Sequence, residues 1–253
     1  MHSRLRITAI VAAFFWLLSG CGGERPAPPK PASAPQEHVQ APATISCKIL
    51  LSGAPPKMES VKMNADRKCI TMHKEPVYFQ NVMTNGKGML QNTFVYVKEG
   101  LGRQTYPVPK EPVTIDQDGC MYHPHVMGIR VGQPLQVVNK DPVLHNIHAL
   151  PKINTGFNFA QPREGMKKEE VFTQPEIMVK VKCDVHSWMS AYVGVLDHPF
   201  FAVSDSSGSC TLKNLPPGEY TLAAWHETYG TLEQKVVIAA GESKNITFQF
   251  VAK

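Results

Sequence analysis

Apolar and polar side chains alternate over short stretches from residue 44 onward, and turn-forming residues separate these stretches. Alternation over five to eight residues places one face of a segment in a core and is typical of β-strands. Strands are expected at 44–51, 93–97, 125–131, 135–139, 146–150, 170–173, 176–182 and 191–195. Between residues 57 and 91 the pattern is poor, so loops with one short helix are predicted there.

The spacing of these strands is typical of an all-β sandwich. After residue 197 the sequence pattern changes. It consists of a short apolar run at 200–203, a turn rich in Ser and Gly, and the stretch LPPGEYTL at 215–222. That stretch resembles the carboxypeptidase regulatory-like sandwich, in which such a turn feeds a strand with a buried tyrosine. We therefore expect a larger β domain at 43–197 and a smaller β-sandwich at 198–253, the latter with an accessory role.

The first 20 residues are typical of a signal peptide, with a basic start and an apolar run at 7–18. The run is too short to span a bilayer, which needs about 20 residues. Leu-Ser-Gly followed by Cys21 resembles the lipobox of bacterial lipoproteins, which implies acylation of Cys21. Gly22 at the next position resembles outer-membrane sorting, so a periplasm-facing outer-membrane anchor is expected rather than an inner-membrane one. The alternative is an ordinary secretory signal with a chance cysteine.

Residues 21–42 are rich in Pro and Ala and lack the apolar periodicity from which a core is built. They are predicted to be a solvated tether. The formal net charge is +5, with Lys and Arg scattered along the chain, so no nucleic-acid footprint is predicted. The small excess of positive charge favours a partner with an acidic surface.

Five cysteines follow Cys21, and an odd number in an oxidising compartment leaves one thiol either free or committed to a metal. They are Cys47, Cys69, Cys120, Cys183 and Cys210. Cys69 and Cys120 make the most plausible disulfide, although sequence alone does not fix connectivity.

A thiolate, an imidazole and a thioether occur together at Cys183, His186 and Met189, directly after a predicted strand. Steps of three residues in a tight loop let such side chains converge, and His145 begins a neighbouring strand. In the strand pattern His148 points to the opposite face from His145, so His145 is the predicted ligand. Two imidazoles, one thiolate and a weak axial thioether define a blue-copper site. We therefore predict one copper ion that cycles between Cu(I) and Cu(II).

The Cys-x-x-His-x-x-Met spacing at 183–189 resembles that of amicyanin, and the segment 139–148 resembles the amicyanin and plastocyanin segment that holds the first histidine. Together these motifs resemble the cupredoxins. The resemblance implies a Greek-key β-sandwich with copper at one end. It also implies that Asn146 pins the Cys183 loop by hydrogen bonds.

Other interpretations of these residues stay open. Cys183 could pair with another cysteine in a structural disulfide, and Met189 could be a core residue. A zinc site of the His2Cys type is chemically possible, although a thioether is a poor zinc ligand. His125 and His148 could contribute to a second metal site.

We expect a membrane-tethered electron carrier that exchanges electrons with redox partner proteins in the periplasm. His186 is the ligand expected to expose a ring edge to a partner. The chain carries no motif of covalent catalysis, so it is not expected to be an enzyme. The alternatives are a copper sequestration or delivery lipoprotein, and a structural envelope protein with a stabilising metal.

Overall fold

The structure is a computed structural model that describes residues 41–64 and 66–252. The predicted signal peptide at 1–20, the lipidation site Cys21 and nearly all of the tether at 21–42 lie outside the described residues. Within the part that is described, none of the helices has the length and apolarity that a membrane crossing requires.

The described chain is all-β, as predicted, with one short helix. The elements in chain order are β1 (Ala43–Ser52), α1 (Arg67–Thr71), β2 (Phe94–Glu99), β3 (Val113–Asp118), β4 (Met121–His123), β5 (Val126–Arg130), β6 (Pro134–Asn139), β7 (His145–Leu150), β8 (Asn158–Gln161), β9 (Lys167–Val171), β10 (Glu176–Lys182), β11 (Ser190–Leu196), β12 (Phe201–Val203), β13 (Ser209–Leu215), β14 (Gly218–His226), β15 (Gly230–Ile238) and β16 (Ser243–Val251).

Most of the predicted strands occur within a few residues of their expected bounds, because alternation is a local signal. The helix α1 lies in the poorly patterned region and has only five residues, so periodicity could not locate it. Its start is set by Asp66, whose side chain accepts a hydrogen bond from the Lys68 amide at 2.8 Å. Strands β3, β4 and β8 were not predicted, and β8 in particular is short and largely polar.

Two sheets form a first sandwich. One has the strand order β5-β11-β10-β7-β8 and the other has the order β4-β3-β6-β9. Both contribute to one buried cluster, in which Ile115 and Leu135 come from one sheet and Ile147 and Val181 from the other. Burying this apolar surface is the main force that holds the two sheets together.

Two further sheets, with the orders β13-β1-β16 and β12-β2-β14-β15, form a second sandwich around a second core. The first described strand, β1, runs parallel to β16 and antiparallel to β13. Residues 43–52 and 94–99 therefore pair with C-terminal strands, whereas the sequence pattern assigned them to the domain expected at 43–197. Alternation identifies a strand but does not specify its pairing partner, which explains this difference.

The turn at 215–222 feeds β14, and Tyr220 on this strand is buried. The Tyr220 hydroxyl donates a hydrogen bond to the carbonyl of Pro216 at 2.7 Å. The tyrosine thus fastens the turn to the strand that follows it.

Candidate metal centre

The strand pairing of the first sandwich brings His145 and Cys183 to the same end of one sheet. His145 is the first residue of β7, and Cys183 directly follows β10. These strands are antiparallel, with Lys182 opposite His148, so the start of β7 lies beside the end of β10. The loop from β10 to β11 then supplies His186 and Met189.

Three donor atoms converge at this end. The Nδ1 atoms of His145 and His186 lie 3.1 Å apart, and the Cys183 sulfur lies 3.8 Å from His186 Nδ1. One donor atom from each of these three residues lies within 4.8 Å of the others. Neither imidazole is exposed to solvent, and Cys183 is 2% exposed. The arrangement is a buried pocket of two nitrogens and one sulfur.

The ligand loop is held closed by its own hydrogen bonds. The amide of Cys183 donates to the Met189 carbonyl at 3.2 Å, and the Met189 amide donates to the His186 carbonyl at 3.0 Å. The His186 amide donates to the Cys183 sulfur at 3.4 Å. Met189 is fully buried in the core of the first sandwich. These bonds explain why three ligand-type residues in seven positions face inward together.

The Cys183 thiol is activated by its neighbours. Burial acts to raise its pKa, but hydrogen bonds with His145 and His186 and with two backbone amides outweigh burial and lower the pKa to about 6. These neighbours therefore favour the thiolate, which is the form that binds metals.

Asp141 orients His145 from the side opposite the converging donors. Its carboxylate lies 2.8 Å from His145 Nε2 and also accepts hydrogen bonds from the amides of Gly119 and Cys120 at 2.8 and 2.7 Å. Burial acts to raise the pKa of Asp141, but these bonds lower it. Burial likewise acts to lower the pKa of His145, and Asp141 and Cys183 raise it instead. A carboxylate on Nε2 leaves Nδ1 directed at the donor cluster.

Asn146 contacts the loop between β10 and β11. Its side-chain oxygen accepts a hydrogen bond from the Asp184 amide at 2.6 Å. The backbone amide of Asn146 is also one of the groups that lower the pKa of Cys183. Asn146 thus links β7 to the residue that follows the thiolate.

The expectation that His186 exposes a ring edge is wrong, because a cap covers that edge. We use "cap" for residues 66–73 and 118–122, which the disulfide between Cys69 and Cys120 joins. The Cys69 sulfur lies 3.6 Å from His186 Nε2, and an Asp66 carboxylate oxygen lies 3.9 Å from the same nitrogen. His186 is consequently 0% exposed.

Further contacts fasten the cap to the ligand loop. The Trp188 indole donates a hydrogen bond to the Cys120 carbonyl at 2.9 Å, and its ring centroid lies 5.0 Å from that of His186. Within the cap, His73 Nε2 lies 2.7 Å from the Gly119 carbonyl oxygen, which joins the two cap segments to each other. The sequence pattern did not identify the cap, since it is assembled from two segments that lie far apart along the chain.

The two histidines considered for a second site are not brought together with other ligands. His125 forms a buried ion pair with Glu227, while its Nδ1 lies 3.0 Å from the Ser190 carbonyl oxygen. His148 lies near the surface, 3.0 Å from the Asp184 carboxylate. Among the described residues, neither histidine belongs to a group of three candidate ligands. Each therefore has a partner of its own.

The remaining cysteines differ in environment. Cys47 and Cys210 are buried thiols in the second core, and Cys183 is the thiol at the donor cluster. Sequence reasoning also left Asp141 without a role, although it stands four residues before His145. Its role depends on amides of Gly119 and Cys120, about twenty residues upstream, which no local pattern reveals.

No protein-family model matches the chain, and no curated protein matches it. Among solved structures, a copper-containing nitrite reductase from Thermus scotoductus SA-01 is 22% identical over 38% of this chain and 26% of its own length, with a TM-score of 0.31. A purple cupredoxin from Nitrosopumilus maritimus is 26% identical over 32% of this chain and 97% of its own, with a TM-score of 0.28. A Cu(I) form of an amicyanin mutant is 15% identical over 40% of this chain and 97% of its own, with a TM-score of 0.30.

Proposed function

We propose that the chain is a type 1 copper protein that transfers electrons, with His145, Cys183, His186 and Met189 as ligands of one copper ion. The observation that carries the proposal is the convergence of two Nδ1 nitrogens and the Cys183 sulfur in a pocket closed to solvent. Such a cluster of lone pairs is costly to bury unless a cation shares it.

The donor set fits copper better than the alternatives. Thiolate and thioether sulfur suit Cu(I), imidazole suits Cu(II), and a site with both lets the two oxidation states share one geometry. Zinc prefers four strong ligands or an open position for water, and Met189 offers neither. Bound copper would supply a one-electron couple, and the protein side chains would hold the donors in place.

The surrounding residues favour electron transfer because they restrict ligand movement. Asp141 fixes the His145 ring, Asn146 fixes the residue after Cys183, and the cap covers His186. Fixed ligands change little between two oxidation states, so less reorganisation opposes the transfer of an electron. Outer contacts of this kind also tune the metal.

The proposal includes where the protein is located in the cell. We propose a signal peptide at 1–20, lipidation at Cys21 and a tether that holds the protein at the periplasmic face of the outer membrane. Its partners would be periplasmic redox proteins, and it would carry electrons without being an enzyme. The LPPGEYTL resemblance assigns the C-terminal strands to an accessory domain of the carboxypeptidase regulatory-like type.

One observation favours a second candidate function, copper sequestration or delivery. Both imidazole rings are fully buried, and both Nε2 atoms face protein groups. Covered ligand edges slow the loss of a bound ion as well as contact with a redox partner. Reversible voltammetry separates the two candidates, since a carrier gives a fast reversible couple and a store does not.

Adding copper(II) to a fragment comprising residues 41–253 tests the site. The described residues 41–252 belong to one compact unit, so we expect this fragment to keep the fold. We expect an intense visible band from thiolate-to-copper charge transfer, at one copper per chain. Cys183→Ser should abolish the band, and Cys47→Ser, at another buried cysteine, should retain it. A colourless protein that binds zinc as tightly as copper would contradict the proposal.

A further inference from the structure

A second pair of cysteines faces each other in the sheet β13-β1-β16. Cys47 on β1 lies directly opposite Cys210 on β13, and these strands are antiparallel. Both side chains are buried in the second core, with exposures of 2% and 6%. The pair lies outside the candidate metal centre, whose three donors belong to the first core.

The ladder of hydrogen bonds fixes the separation of the two backbones. The Ile49 amide donates to the Gly208 carbonyl at 2.8 Å, and this pair lies two positions from Cys47 and Cys210. Residues directly opposite each other in an antiparallel ladder have Cα atoms about 4.5–5.5 Å apart. This separation lies within the range of about 4.4–6.8 Å that disulfides span.

The neighbouring Cys47 thiol and burial both raise the pKa of the Cys210 thiol. A protonated, buried thiol reacts slowly with reagents from solvent. Linkage would therefore occur during folding, before the second core closes over the pair.

We propose that Cys47 and Cys210 form a second disulfide when the chain folds in the presence of a disulfide oxidant. One cysteine, as its thiolate, attacks the oxidant's disulfide and forms a mixed disulfide, releasing the first oxidant thiol. The other cysteine then attacks the protein sulfur of that mixed disulfide and releases the second. Two protein thiols lose two electrons and two protons, and the oxidant's disulfide becomes two thiols.

The bond would have two consequences for the molecule. It would join β1, the first described strand, covalently to β13, so that these two neighbouring strands could not separate even if their hydrogen bonds broke. It would also leave Cys183 as the single thiol among the described residues, because Cys69 and Cys120 are already paired. Soft metal ions would then have one thiolate to bind.

The test uses the fragment of residues 41–253, which leaves out Cys21. The reduced, denatured fragment is refolded with oxidised glutathione, its remaining thiols are blocked with iodoacetamide under denaturing conditions, and it is digested without reduction. Trypsin alone does not suffice, since no Lys or Arg separates Cys183 from Cys210, and a protease that cleaves after aromatic residues does not separate Cys47 from Cys69. The two proteases together place the five cysteines on five different peptides. Mass spectrometry should find the Cys47 and Cys210 peptides linked, 2 Da lighter than their sum, and should lose this species on reduction.

The Cys69–Cys120 linkage serves as an internal control that the oxidant has acted. Finding that linkage while Cys47 and Cys210 both carry the alkyl label overturns the proposal, and so does linkage of Cys47 to Cys183. A register control uses Cys210→Ser with Thr211→Cys, which moves the thiol to the exposed opposite face of β13. This variant should lose the linked peptide, and linkage at the wild-type yield would also overturn the proposal.

Discussion

Buried histidines in the two sandwiches differ in where their ring nitrogens point. In the second sandwich, His226 Nδ1 accepts a hydrogen bond from the Thr228 amide at 3.2 Å, and its ring stacks on Tyr229. In the first sandwich, His145 and His186 turn their Nδ1 atoms toward each other at 3.1 Å. His226 Nδ1 thus has a hydrogen-bond donor two residues away in its own loop, whereas the Nδ1 atoms of His145 and His186 converge on one position.

The difference shows that burial alone does not identify a ligand. All three rings are at most 1% exposed, yet only one pair adds a thiolate to the same small volume. The charge environment differs in the same way. Burial lowers the pKa of His226 to about 4, whereas Asp141 and Cys183 overcome burial and raise that of His145. A structural histidine is kept neutral, and a candidate ligand is surrounded by negative charge.

The largest expected effect is the difference in copper affinity between two variants, one that lacks the His186 ring and one that lacks the His226 ring. His186→Ala should lower copper affinity by at least about 1,000-fold, or about 4 kcal/mol, because it removes a primary donor. His226→Ala should leave copper affinity within about 3-fold and reduce only stability, since its ring touches no donor of the cluster. Competition with a copper chelator measures both affinities. Equal losses of affinity in the two variants would contradict the distinction drawn between them.

Removing the disulfide of the cap is expected to have the next largest effect. The double variant Cys69→Ala/Cys120→Ala should lower the free energy of unfolding by about 4 kcal/mol, as expected for a loop of this length. It should also expose His186 Nε2, so that a chelator removes copper faster than from the wild type. Ile70→Ala, at an exposed position of α1, retains the disulfide and is the matched control. Unchanged copper release in the double variant would show that the cap does not limit access.

The sequence predicts those features that depend on residues close together along the chain, and it does not predict those that depend on distant segments. Strand alternation and three-residue steps are local, and they suffice to select His145, Cys183 and His186, which the structure brings together. The cap depends on contacts between α1 and residues some fifty positions away, so the exposure expected for His186 was wrong. The partners of β1 and the amides that hold Asp141 depend on similarly distant pairings, which no local pattern encodes.

A third effect concerns pH and the second sandwich. The pKa of His226 is about 4 in the folded protein, against about 6.5 when unfolded, so the unfolded state binds the proton more readily between these values. The contribution of His226 to the free energy of unfolding should therefore be complete above pH 6.5 and fall by about 3 kcal/mol as the pH drops to 4. His226→Asn, which keeps an acceptor for the Thr228 amide, should flatten this fall. Denaturant titrations at several pH values measure it, and an equally steep fall in the variant would assign the acid sensitivity elsewhere.

The smallest effect tests how strongly the carboxylate behind His145 contributes to the first sandwich. Asp141→Asn keeps the size of the side chain but removes its charge and leaves one oxygen to serve His145, Gly119 and Cys120. Copper affinity should fall by about 10- to 100-fold, the usual cost of losing an outer contact to a metal ligand. Asp184→Asn is the matched control, because that carboxylate is about one-third exposed and pairs with His148 instead of a ligand. If both variants weaken copper binding equally, general electrostatic attraction explains the loss, and the orientation of His145 by Asp141 does not.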